Sequence, residues 1–158
     1  MKLINGVVMC LVALTAVPAF AQEKQADPNM QILLEKVKAD KKLVVAANMD
    51  LTEAEGKAFW PIYDAYQKDL QALNERIGKT IVAYAEAYNK KSLSDAQAKQ
   101  LTDEALAIDQ DEITLRRTYA ARLGGVLPGT KAARYLQIEN KIRAAIRYDL
   151  AAGIPLVP

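Results

Sequence analysis

Two acidic side chains, Glu112 and Glu139, stand at positions where the helical spacing of their neighbours calls for apolar residues. Glu112, for example, falls between Ile108 and Leu115 in an otherwise apolar stripe. Two carboxylates inside a helical bundle can take part in catalysis, hold a metal ion or form ion pairs. The composition of the rest of the chain decides which of these roles is expected for the two acids.

The rest of the composition favours ion pairing over catalysis or metal binding. The chain contains no His, and Cys10 is its only cysteine. Di-iron bundles use Glu-x-x-His repeats, zinc and copper sites use His or Cys, and hydrolytic triads need a base such as His. The sequence also lacks the Asp-x-Asp-x-Asp-Gly loop of calcium sites. We therefore expect no catalytic residue, no metal site and no cofactor, and a protein that is not an enzyme.

Each acid is expected to pair with an arginine. If the two helices that carry the acids form a hairpin centred near Leu127, each acid faces an arginine of the opposite helix. We predict the crossed pairs Glu112–Arg143 and Arg116–Glu139 as a structural polar network. The planar guanidinium group suits such pairing, which fixes register more surely than it adds stability.

The N-terminus predicts export to the periplasm. Lys2 precedes an apolar run over residues 3–18, and Ala19-Phe20-Ala21 supplies small residues where a signal peptidase reads them. Residues 1–21 are thus predicted to be a signal peptide cleaved before Gln22. The apolar run is shorter than the roughly 20 residues that cross a bilayer, so we expect no stable membrane span after cleavage.

The remaining residues, 22–158, are predicted to form a single all-helical domain. The whole chain has 21 basic and 19 acidic residues, and the signal peptide removes one of the basic ones, Lys2. This near-neutral balance gives no reason to expect a nucleic acid as the partner.

Apolar spacing predicts four helical segments, two of them long, in an all-α fold of antiparallel helical hairpins. Thr52 with Glu55, and Ser94 with Gln97, have the spacing of helix N-terminal capping boxes. The short connections between the segments force neighbouring helices to run antiparallel. The predicted helices cover about residues 29–48, 52–89, 94–123 and 128–152.

The two caps also carry a family resemblance. The stretches Leu51-Thr52-x-x-Glu55 and Leu93-Ser94-x-x-Gln97 resemble the paired LTxxQ motifs of the Spy/CpxP family of periplasmic helical proteins. The first has Glu in place of Gln, and the second has Ser in place of Thr. Residues 59–66 and 133–143 are similar to further blocks of such proteins, so the resemblance covers most of residues 30–155.

The resemblance implies an elongated, curved homodimer that binds unfolded or envelope proteins as an ATP-independent, stress-related chaperone. The implied alternatives are a sensor or adaptor that binds one specific membrane partner, or a metal-responsive member of the family. No catalytic residue carries over, because the family has none. Long helices are expected to leave part of their apolar stripes exposed, and an exposed apolar stripe can bind a partner. Four aromatic residues on these stripes are therefore candidates for protein binding. They are Phe59, Trp60, Tyr63 and Tyr66, and the alternative is that each of these residues belongs to the ordinary core.

Overall fold

A computed structural model describes residues 28–158, and the predicted signal peptide lies outside that range. The described chain is all-α with four helices, which confirms the predicted fold class, and each observed helix end lies within one residue of its predicted position. The helices are α1 (Pro28–Met49), α2 (Glu53–Asn89), α3 (Asp95–Gly124) and α4 (Gly129–Gly153). No helix within residues 28–158 combines the length and the apolar character needed to span a membrane.

The starts of α2 and α3 are fixed by side-chain caps. The Thr52 N–H donates to Glu55 Oε2 at 2.8 Å, and the Glu55 N–H donates to Thr52 Oγ1 at 3.3 Å. At the start of α3, the Gln97 N–H donates to Ser94 Oγ at 3.3 Å. Each cap satisfies a backbone N–H that has no partner within the helix, so the helix begins at the next residue.

Helix α1 is broken at Asp40, which the prediction of one helix over residues 29–48 misses. Asp40 has extended backbone angles, φ −163° and ψ 98°. Its Oδ1 accepts a hydrogen bond from the Leu43 N–H at 3.0 Å. Asp40 is therefore the N-cap of the second half of α1, because a short acidic side chain competes with the helix for backbone donors.

Helix α2 ends in a left-handed turn at Lys91, whose φ is 51°. The Lys91 N–H donates to the Tyr88 carbonyl, and the Ser92 N–H donates to the Ala87 carbonyl, both at 3.0 Å. This pair of bonds is the Schellman arrangement, in which glycine is the usual residue at the left-handed position.

We expect Lys91→Gly to raise the free energy of unfolding by about 0.5–1 kcal/mol, because glycine adopts positive φ without the penalty that a side chain brings. Thermal denaturation followed by circular dichroism measures the change. Lys90→Gly is the matched control, since Lys90 precedes the left-handed residue. An equal or lower melting temperature for Lys91→Gly than for the unaltered protein would contradict the expectation.

The described residues divide into two compact units that share α2 and α3. We call residues 65–117 with 157–158 the hairpin unit, and residues 28–64 with 118–156 the aromatic unit. In the hairpin unit, Arg76 of α2 reaches two acids of α3. Its Nε lies 2.8 Å from Glu104 Oε1, and its Nη1 lies 2.6 Å from Asp111 Oδ2. Leu70 and Ile108 are buried in this unit.

The aromatic unit is where α1 packs against α4. Apolar side chains from α1 and α4 and from the ends of α2 and α3 fill its core. Its fully or almost fully buried apolar residues include Val37, Val45, Met49, Phe59, Tyr119, Leu123, Tyr135, Ile142 and Ala145.

Candidate functional site

The aromatic cluster of Phe59, Trp60, Tyr63 and Tyr135 joins α2 to α4. The Phe59 and Tyr135 rings meet edge to face with centroids 5.1 Å apart, and the Tyr63 and Tyr135 centroids lie 6.1 Å apart. Trp60 contacts Phe59 at 4.9 Å and Tyr63 at 5.4 Å. Such edge-on contacts stabilise the core beyond the area that the rings bury.

Three of the four aromatic residues named as candidates for protein binding are buried. Phe59 and Tyr66 are 0% exposed, and Tyr63 is 4% exposed. Their side chains fill the interior that α2 shares with its neighbours, so a partner cannot reach them in this structure. Only Trp60 is half-buried, and the Lys42 ammonium lies 5.2 Å from its ring centroid.

A buried ion pair lies beside the aromatic cluster. Lys41 Nζ lies 2.7 Å from Glu139 Oε2, and the two side chains are 8% and 1% exposed. Burial lowers the pKa of Lys41, although the carboxylate of Glu139 opposes that shift. Burial also raises the pKa of Tyr63, and the charge of Glu139 adds to the effect.

Glu139 therefore has a partner, Lys41, that is not among the predicted pairs. The other acid, Glu112, is 2% exposed, and Arg116 Nε, one turn along α3, lies 3.6 Å from its Oε1. Arg143 is also buried and carries a charge that lowers the pKa of Lys41. The crossed pairs Glu112–Arg143 and Arg116–Glu139 stay predictions.

Lys131 connects three helix ends within the aromatic unit. Its Nζ donates to the backbone carbonyl of Asp50, after α1, at 2.7 Å, and to Glu55 Oε2, in the first turn of α2, at 2.6 Å. Lys131 itself lies in the first turn of α4. The Thr52–Glu55 capping box is thus part of a tertiary junction, a role that no local motif in the sequence indicates.

The junction makes stability depend on pH through Glu55. Hydrogen bonds from Lys131 and from the Thr52 backbone hold the pKa of Glu55 below its ordinary value of 4.5. Its contribution is therefore complete above pH 4.5 and is lost as the pH falls through the lower pKa of the folded state, because the unfolded chain binds the proton first. We expect the stability difference between the unaltered protein and Glu55→Gln to shrink as the pH falls below 4.5. Urea unfolding at several pH values measures it.

The control for this experiment is Glu53→Gln, which alters an exposed carboxylate in the same turn. Equal pH dependence of the two differences would show that Glu55 has no special role in the junction.

The aromatic unit contains a groove of about 480 Å³ between α1 and α4. Its floor is apolar and partly or fully buried, with Val44 from α1 and Ile138 and Ile142 from α4. Its rim is exposed and mostly polar, and two of the polar rim residues are basic. The rim consists of Ala47, Asn48, Asp50, Arg134, Gln137 and Lys141. We call this feature the α1–α4 groove.

A second groove, of about 520 Å³, lies in the hairpin unit at the turn between α2 and α3. Tyr88 and Leu93 line it together with Val157 and Pro158 near the C-terminus. Ser94, the cap of α3, lies on its wall, so the residues that end one helix and begin the next also shape this surface.

Within residues 28–158, no group of three or more His, Cys, Asp or Glu side chains is placed to hold a metal ion. Comparison with known protein families, with curated proteins and with solved structures finds no match to this chain. A function is therefore inferred from the geometry of the α1–α4 groove.

Proposed function

We propose that the protein is an exported polypeptide-binding protein that acts as an ATP-independent chaperone and holds apolar client segments in the α1–α4 groove. The observation that carries the proposal is the groove itself, an open channel with an apolar floor and a polar rim. Grooves between helices bind amphipathic segments in this way, with the apolar floor supplying affinity and the rim supplying orientation.

The exposed apolar surface of α1 supports the same proposal. Leu43, which precedes the floor residue Val44, is 66% exposed. An exposed leucine on the helix that forms one side of the groove adds apolar surface that a client can cover, which favours binding of varied sequences.

The groove can be tested by filling it. Ala47 is an exposed rim residue, so Ala47→Trp adds bulk at the groove while leaving the core of the unit unchanged. The matched control is Ala72→Trp, which alters an exposed alanine of the hairpin unit. We expect the unaltered protein and Ala72→Trp to suppress aggregation of a denatured test protein at stoichiometric amounts without nucleotide, and Ala47→Trp to suppress it poorly.

Two results would contradict the proposal. Failure of the unaltered protein to suppress aggregation of several unrelated test proteins would contradict the proposed chaperone function. Equal suppression of aggregation by the two tryptophan variants would show that the groove is not the binding site.

The second candidate function is a sensor or adaptor for one specific membrane partner. The exposed surface of α4 carries Arg134, Lys141 and Arg147, which suit an acidic partner. Recovery of a single envelope protein in a pull-down that weakens with salt would favour this candidate over a promiscuous chaperone.

A further inference from the structure

The α1–α4 groove and one face of α3 have complementary chemistry. The face consists of Asp103, Leu106, Asp109 and Ile113, all exposed, and we call it the α3 outer face. Leu106 is 62% exposed and Ile113 is 39% exposed. Helical spacing of three or four residues places the four side chains together, on the side of α3 opposite the buried Ile108.

The spacing of charges on the two surfaces also agrees. Arg134 and Lys141 are seven residues apart on α4, which is about 10.5 Å along a helix, and Ile138 lies between them. Asp103 and Asp109 are six residues apart on α3, about 9 Å, and Leu106 lies between them. Both surfaces therefore present charge, apolar side chain and charge in series, with opposite signs.

The same complementarity holds beyond these four charged residues. Residues 95–112 carry six acidic side chains and a single basic one, Lys99, so this part of α3 is strongly acidic. Lys99 Nζ lies 2.6 Å from Asp103 Oδ2, but both side chains are largely exposed, so solvent screens that pair and leaves Asp103 able to exchange partners.

We propose that the α1–α4 groove binds the α3 outer face of a second copy of this chain. Leu106 and Ile113 would enter the apolar floor, while Asp103 and Asp109 meet Arg134 and Lys141. This self-association does not depend on client binding, although a client in the groove would compete with it.

Charge reversal tests the proposal by sedimentation equilibrium on residues 22–158. We expect the unaltered chain to self-associate, and R134E/K141E and D103K/D109K each to weaken association at least about tenfold, because like charges then face each other. Mixing the two variants should recover association, since the reversed groove of one then faces the reversed α3 outer face of the other. Misfolding of either variant cannot produce that recovery.

A pair of single variants separates the apolar contribution. L106S should weaken association, whereas V82S, which alters an exposed valine of α2 in the same hairpin unit, should not. A monomeric mass for the unaltered chain at every concentration would overturn the proposal, as would a mixture that fails to associate while both variants keep their helical circular dichroism. Since no client is present, these results are independent of the aggregation assay.

Discussion

Replacing Lys41 by Met is expected to lower the free energy of unfolding by about 3–5 kcal/mol, because it removes one partner of a buried ion pair and leaves the other charge in the interior. Glu139 is 1% exposed and lies 2.7 Å from the Lys41 ammonium. The desolvation cost of the buried carboxylate is then no longer offset by the ion pair with Lys41. Urea unfolding at neutral pH measures the loss.

The neighbouring lysine provides the control. Lys42 pairs with Asp64 at the same distance, 2.7 Å, but the two side chains are 48% and 59% exposed. We expect Lys42→Met to cost no more than about 1 kcal/mol, since solvent screens an exposed pair. The double variant K41M/E139L should recover most of the loss, because it removes both charges together. Equal costs for Lys41→Met and Lys42→Met would contradict the assignment of a buried pair.

Replacing Phe59 by Ala is expected to cost about 3–5 kcal/mol, since it leaves a cavity at the centre of the aromatic cluster. Phe59 is 0% exposed and contacts the rings of Trp60, Tyr63 and Tyr135. The surrounding rings are held by several contacts each, so the site cannot collapse around the missing side chain. Thermal and urea unfolding both measure the effect.

Tyr148→Ala is the matched control for this prediction, because Tyr148 is an aromatic residue of the same unit that is 47% exposed. We expect its replacement to change stability by about 0.5 kcal/mol or less. If Phe59→Ala left stability unchanged but reduced client binding, the original interpretation of Phe59 as a protein-binding residue would be restored.

Helix ends could be predicted from sequence because their causes are local. Thr52 and Glu55 lie three residues apart, and so do Ser94 and Gln97, and a hydrogen bond across three residues depends little on the rest of the fold. The Asp40 cap is equally local, since its oxygen bonds the Leu43 N–H. The apolar stripe of α1 predicts a single helix, but its polar gap between Val37 and Val44 contains Asp40 and was the available signal for this cap.

The partner of Glu139 could not be predicted in the same way. Lys41 and Glu139 are 98 residues apart in the chain and meet only because α1 packs against α4. The short connection near Leu127 relates only the two helices that carry the acids, so it gives no indication of a partner on α1. Lys131 was missed for the same reason, since its contacts to Asp50 and Glu55 are also long-range.

The roles of the aromatic residues were ambiguous for a different reason. Phe59, Tyr63 and Tyr66 follow the helical period of a buried stripe, but the same spacing describes a stripe that is covered by a partner chain. Only tertiary packing, such as that of Tyr135 against Phe59 and Tyr63, decides that the stripe is internal. The α1–α4 groove had no sequence signal at all, because it is formed by the space between two helices rather than by a motif.

The most direct test of client binding in the α1–α4 groove is site-specific photo-crosslinking. A benzophenone side chain is placed either at position 47, on the groove rim, or at position 72, an exposed position of α2. Each protein is then irradiated with an unfolded client. Client binding in the α1–α4 groove predicts abundant client adducts from position 47 and few from position 72. Equal yields at the two positions, or no adduct at position 47, would contradict it.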